Sequence, residues 1–247
     1  MRGEFLDLPD GRIYYYAAGS RGAGEPIVLV HGFPASSHVW FDVVAKLPPG
    51  HRVVVSDQLG FGRSDAPPEA DYGIAAHGRR ILEMLDALVI DRACLVGHEI
   101  GAEIARWVAT NAPQRVSRIV VVDSAATSGW LSTSHHVGRR FRSALLHLPS
   151  WCWLPLARWS IARTYDDRSL GLRSAEVFLL PFASVSGAAA LRRHLRDLAG
   201  VGVRRAVDLG SLDIPALSIR SDDHRFSPEE YPSEVAAGVA RVLSLGG

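Results

Sequence analysis

The chain has 247 residues, of which 47% are hydrophobic and 21% charged, and a formal net charge of +1 at pH 7. That is interior enough for one compact domain around a large sheet. Lys46 is the only lysine and no basic tail or aromatic-plus-basic run occurs, which argues against a nucleic-acid-binding protein.

At the N-terminus, Met1 to Phe5 carries no apolar run ending in a small-residue cleavage site, so the expectation is a cytoplasmic protein. Strand and helix patterns then alternate through the first half, the pattern of a mostly parallel sheet with helices on both faces. Pro26 to Val30, Arg52 to Val55, Leu95-Val96 and Ile119 to Val122 are short β-branched runs ending in Gly or Asp turns, as buried parallel strands should be. Ala75 to Leu88 places Ile81, Met84, Leu85 and Leu88 at helical spacing, and Ile100 to Ala109 reads as a second helix.

After Asp123 the character changes. Ser124 to about Phe182 holds four of the six tryptophans with scattered Arg and Pro. This reads as a helical cap, residues 124–185, inserted into a core of residues 1–123 and 186–247. The most apolar stretch, Ala144 to Ile161, is broken by His147, Pro149, Pro155 and Arg158, so it reads as a lid over an apolar pocket and not as a membrane span. Ala188 to Leu198 resumes amphipathic helix, Pro215 to Ile219 is the last strand, and Glu229 to Leu245 closes the chain as a helix.

Four motifs carry chemistry. His31-Gly32-Phe33-Pro34 follows a strand, where a turn exposes backbone N–H groups. Asp57-Gln58-Leu59-Gly60-Phe61-Gly62-Arg63-Ser64-Asp65 follows the next strand. Gly97-His98-Glu99-Ile100-Gly101 sits between strand and helix, the context of a nucleophile elbow. Ser221-Asp222-Asp223-His224 continues through Pro232 to the last helix.

Together these motifs resemble the α/β-hydrolase superfamily over residues 26 to 126, and that resemblance implies an α/β fold with a mostly parallel sheet, flanking helices and a helical cap. The elbow is similar to that of the epoxide hydrolase and haloalkane dehalogenase branch, except that Glu99 stands where that branch has aspartate and other members have serine. Ile100, where dehalogenases often place a halide-binding tryptophan, disfavours dehalogenation. By the resemblance, the Phe33 and Ile100 N–H groups form the oxyanion hole and Glu99 takes the nucleophile position.

A glutamate there can act as nucleophile, as general base or as general acid. Alternatively its extra length displaces the reacting oxygens and catalysis is lost. The Ser221 to Pro232 stretch matches the family in two ways. In one, Asp222 or Asp223 is the acid after the seventh strand and the histidine strand is lost. In the other, the longer match and the one favoured, His224 and the run through Pro232 to Ala236 are the family's histidine motif, which makes His224 the expected partner of Glu99. Asp123 is the better orienting acid, because Asp223 and His224 are adjacent and tend to point to opposite sides. Trp130, Trp151, Trp153, Trp159 and Tyr165 are the expected substrate-binding residues, and they suit a small or medium apolar substrate, aromatic or polyketide-like.

Cys94 and Cys152 read as buried or half-buried thiols, and neither they nor His135-His136 have metal-ligand spacing. No metal and no cofactor are expected. The functional expectation is a cofactor-independent, hydrolase-like enzyme. Its competitors are a non-hydrolytic cyclase, dehydratase or lyase of a biosynthetic pathway, and a catalytically degenerate binding protein. The expected partner is a small-molecule substrate, without nucleic acid or membrane. A shortened C-terminal end would leave a sheet edge open for pairing in a homodimer.

Overall fold

The computed structural model describes residues 3–19, 24–124, 147–199, 209–219 and 228–245. Strands β1 (Gly3–Leu8) and β2 (Gly11–Ala18) form an antiparallel hairpin across the Pro9-Asp10 turn. Its sequence signal is weak, because β1 lies on the sheet edge with half its residues exposed. β3 (Ile27–Val30), β4 (Val53–Ser56), β5 (Ala93–His98), β6 (Val116–Val122) and β7 (Ala216–Ile219) complete one seven-stranded sheet in the order β1-β2-β4-β3-β5-β6-β7. β3 through β7 are mutually parallel.

All residues of β3 and β4 are buried because both sheet faces are covered, and the period of two sorts their side chains between the faces. Ile27 and Leu29 point to one side, with Trp40, Val43, Val235, Val239 and Val242. These partners come from the turn and short helix α1 (Phe41–Val44) and from the C-terminal helix α7 (Pro232–Ser244). Val28 and Val30 point to the other side, where they meet Ile81, Met84 and Leu85 of α2 (Ile74–Ala87) and Ile104 and Val108 of α3 (Ile100–Asn111).

Between β6 and β7 lie the helices α4 (Ser150–Ala162), α5 (Arg168–Leu179) and α6 (Val185–Ala199). Helix α4 starts directly after Pro149, and Asp167 caps α5 by accepting the Ser169 and Leu170 N–H groups. A buried cluster of Trp153, Leu179, Phe182, Ala188 and Leu191 closes over Phe61 of the core. Among the described residues no single helix is long and apolar enough to cross a membrane; the bent pair Arg168–Ala183 and Val185–Leu198 meets the length and composition criterion only when taken together.

Candidate active site

The carboxyl ends of β3, β5 and β6 lie side by side, with Val30 opposite Gly97 and His98 opposite Val122. The residues that follow them, His31 to Phe33, Glu99 and Asp123, therefore gather at one edge of the sheet, where open α/β sheets place their ligands.

At the elbow, Glu99 has φ 52° and ψ −112°, a left-handed backbone that an L-residue adopts only when its surroundings enforce it. The flanking glycines show what enforces it. A Cβ on Gly97 would collide with the Gly101 carbonyl, and a Cβ on Gly101 would collide with the Val30 carbonyl. Strand and helix can pass this closely only without side chains at those two positions.

The Phe33 N–H donates to Glu99 Oε2 at 2.6 Å. The Ile100 N–H, next along the chain, also favours the anionic form of this carboxylate. The elbow carboxylate thus occupies the Phe33 N–H, one of the two donors that the resemblance assigns to an oxyanion. Gly32 makes room for this, since a Cβ there would stand 2.9 Å from both Glu99 Cβ and Oε2.

The Gly32-Phe33 turn is held from behind by His31. Its Nε2 accepts the Gln58 N–H at 3.0 Å, so its proton sits on Nδ1, which donates to the Gly32 carbonyl at 2.8 Å. Asp57 accepts the Ser37 N–H at 2.7 Å and the Arg63 N–H at 2.8 Å. Ser64 Oγ donates to the Asp57 carbonyl at 2.6 Å. The Asp57 to Asp65 loop is therefore a brace for the turn.

Glu99 is half-buried. Desolvation pushes its carboxyl up to about 7, against the two N–H groups that favour the anion and with added repulsion from Glu103. Glu103 lies one helical turn beyond Glu99 and accepts a short hydrogen bond from Ser124, which is buried at the end of β6. Sequence reasoning gave Glu103 and Ser124 no role in the site; the spacing of four from Glu99 was the available signal.

Asp123 stands at the end of β6 with φ 42°, its N–H donating to the Ile219 carbonyl at 2.9 Å. It is half-buried at the same sheet edge as Glu99. Asp222, Asp223, His224, Trp130, His135 and His136 lie outside the described residues.

The remaining cap residues separate. Trp153 is buried in the cap–core cluster, whereas Trp151 is 75% and Trp159 54% exposed. Trp159 lines a groove of about 760 Å³ whose walls, among them Leu154, Leu172 and Leu179, come from the cap alone. A single helix cannot turn tryptophans at positions 151, 153 and 159 to the same side, and α4 accordingly buries Trp153 while Trp151 and Trp159 are exposed. Tyr165 is buried and its hydroxyl donates to Glu229 Oε2 at 2.6 Å, with His38 Nε2 at 3.7 Å from the other carboxylate oxygen. Neither Glu229 nor His38 was singled out from the sequence. Their meeting needs three segments far apart in the chain.

Among the described residues, no three His, Cys, Asp or Glu side chains are arranged to hold a metal ion.

The family profile described as alpha/beta hydrolase fold matches residues 25–154. The chain belongs to this family. An uncharacterised protein of Mycobacterium tuberculosis is 37% identical over 107 residues, 43% of this α/β hydrolase and 31% of that protein. The chain thus spans less than a third of that relative. A cis-3-alkyl-4-alkyloxetan-2-one decarboxylase of Shewanella oneidensis is 30% identical over 163 residues, 65% of this chain and 44% of that enzyme. An alpha/beta hydrolase fold protein from Burkholderia ambifaria has a similar structure, with a TM-score of 0.72 at 25% identity over 97% of this chain and 90% of that one.

Proposed function

We propose that this α/β hydrolase is a cofactor-independent enzyme that acts on an apolar carbonyl compound, with Glu99 moving a proton as general acid and base. The observation that carries the reading is the Glu99 carboxylate seated on the Phe33 N–H at 2.6 Å with its carboxyl pushed up to about 7. A group that titrates near the working pH is matched to both halves of a proton transfer. Protonated, Glu99 donates to the substrate oxygen; ionised, it takes a proton from carbon or from water. A tetrahedral oxyanion of the serine-hydrolase type would compete with Glu99 for the Phe33 N–H and be repelled by its charge, so that route is disfavoured. His224 and Asp123 are the proposed partners that return the proton, and the helices inserted after β6 are the proposed lid.

The test is turnover of apolar esters, lactones and β-lactones in oxygen-18 water by the wild type and Glu99→Ala. Glu99→Ala is expected to lose at least ~100-fold in kcat, the usual size of one general acid–base contribution. Full activity in the variant would sink the reading. Label in the product assigns hydrolysis; its absence assigns elimination or decarboxylation, the kind of reaction named for the Shewanella relative.

A second reading, Glu99 as nucleophile, is favoured by its φ of 52°, the strained backbone of an elbow. It requires the carboxylate to leave the Phe33 N–H. A covalent adduct on Glu99, seen by intact mass during turnover, would select this reading over proton transfer.

A further inference from the structure

Helix α4 has two different faces, and only the inner one packs toward the candidate site. Inside, Trp153 packs with Phe61 and Phe182, next to the Phe33 side chain. Outside, Trp151, Leu156 and Trp159 are exposed. With Pro155 they form one stripe, because residues three and four apart share a side of a helix. The stripe continues onto α5 and the turn after it, where Leu172 and Leu180 line the same groove of about 760 Å³ as Pro155 and Trp159. Of the twelve large apolar side chains exposed among the described residues, eight lie between Leu148 and Val185. Exposed apolar residues scattered singly need no explanation, whereas a concentration of this kind marks a surface that meets something apolar.

The charges around the stripe distinguish what it meets. From Ser124 to Tyr165 the sequence holds five arginines and no aspartate or glutamate, in a chain whose net charge is only +1. Arg163 lies over the Trp159 ring at 4.5 Å. Arg168 stands one helical turn before Leu172, on the same side of α5. The acids that follow are engaged within the fold: Glu176 pairs with Arg158 at 2.6 Å, Asp167 caps α5, and Asp166 accepts the Tyr231 hydroxyl. Exposed tryptophans bordered by arginines match the headgroup layer of a membrane. There indoles take the boundary between water and acyl chains, and guanidinium groups reach the phosphates. A second copy of the chain is a poorer match, because in a two-fold contact the patch meets itself and arginine is brought against arginine.

We propose that the outer face of α4 and α5 is a docking surface for an anionic lipid bilayer, held at the interface without crossing it. No single described helix is long and apolar enough to span. The sequence expectation of no membrane partner rested on the lack of such a span and does not bear on a helix that lies in the interface. The inference is independent of the role of Glu99. Docking sets the helices that cover Phe61 and Phe33 against the phase in which apolar compounds dissolve.

The experiment is flotation of the full chain with vesicles of phosphatidylcholine alone and of phosphatidylcholine mixed with phosphatidylglycerol. The chain is expected to float with the mixed vesicles and not with the neutral ones, and to be released as salt is raised from ~0.1 to ~1 M, which shortens the reach of the charges. Trp151→Ser and Leu180→Ser should each lower the partition coefficient at least ~10-fold, through loss of apolar area buried in the bilayer. Both side chains are exposed, so the urea midpoint should stay near that of the wild type. The double variant Arg163→Gln, Arg168→Gln should also lose binding to the mixed vesicles, and it serves alone if the apolar variants do not fold. No flotation with either vesicle, equal flotation with both, or flotation undiminished in the variants overturns the proposal. A dimer seen by sedimentation that Trp151→Ser dissociates, without flotation of the wild type, overturns it in favour of a second copy.

Discussion

Glutamate is longer than aspartate by one methylene, and at position 99 that length decides where the carboxylate rests. Its oxygen reaches the Phe33 N–H, so in the proposed reading a donor that would otherwise receive a substrate oxygen is covered by Glu99 itself. The cost of placing a carboxylate there is visible in its titration. Raised to about 7 in the folded chain, against about 4.3 when exposed to water, Glu99 favours folding below its unfolded value, and that contribution is lost as pH rises through 7. The effect amounts to ~2–3 kcal/mol between about pH 4 and about pH 8. Glu99→Gln cannot ionise but keeps an oxygen for the Phe33 N–H. In urea denaturation the variant should match the wild type near pH 4.5 and exceed it near pH 8.5, with the gap opening between these values. A gap that is constant with pH would mean that Glu99 is not desolvated.

At the scale of elements, the helices inserted after β6, the proposed cap, are fastened to the rest of the fold by a polar clasp as well as by apolar packing. Tyr165, in the turn between α4 and α5, donates to Glu229; Glu230 accepts the Asp166 and Asp167 N–H groups at 2.6 and 3.0 Å; and the Tyr231 hydroxyl donates to Asp166. These acceptors immediately precede α7, so the clasp ties the cap to the element after the proposed partner His224. Tyr165→Phe removes one charge-assisted hydrogen bond from a buried position and should destabilise the protein by ~1–2 kcal/mol. Hydrogen exchange in residues 164–180 should accelerate while α2 and α3 keep their protection. Uniform acceleration across the sheet would instead show that cap and core unfold together.

At the scale of the whole molecule, two buried imidazoles join α2, α6 and the loop after β4. His194, on α6, lies 4.0 Å from the Phe61 ring and 4.2 Å from that of Tyr72, measured between centroids, and its ring is nearly parallel to that of His77 on α2. Desolvation lowers both groups, His194 to about 3 and His77 well below the ordinary range. A base with a depressed folded value contributes stability above its unfolded value of about 6.5 and loses it as pH falls, the opposite sign to Glu99. His194→Phe should therefore flatten the acid side of the stability profile. Between about pH 7 and about pH 4 the wild type should lose at least ~1 kcal/mol more than the variant, read from urea midpoints. Equal losses would place the acid sensitivity elsewhere.

By itself the sequence determined the family, the positions along the chain of the parallel strands from Ile27 to Ile219, the strand-turn-helix at Glu99 and the change in character after Asp123, but not the order of the strands in the sheet. Each of these is written in a local pattern: a β-branched run, a glycine pair around a strand-to-helix turn, a period of 3.6. The hairpin of β1 and β2 was less legible, because an edge strand with one exposed face carries a weak apolar pattern. The site was legible as a list of residues and not as an arrangement. That Glu99 lies against the Phe33 N–H, that Glu103 is fixed by Ser124, and that Tyr165 belongs to a clasp with Glu229 and His38 depend on approaches between segments distant in the chain. Only the tertiary structure decided these, because a carboxylate's role is set by which donors and charges packing brings within a few ångströms of it.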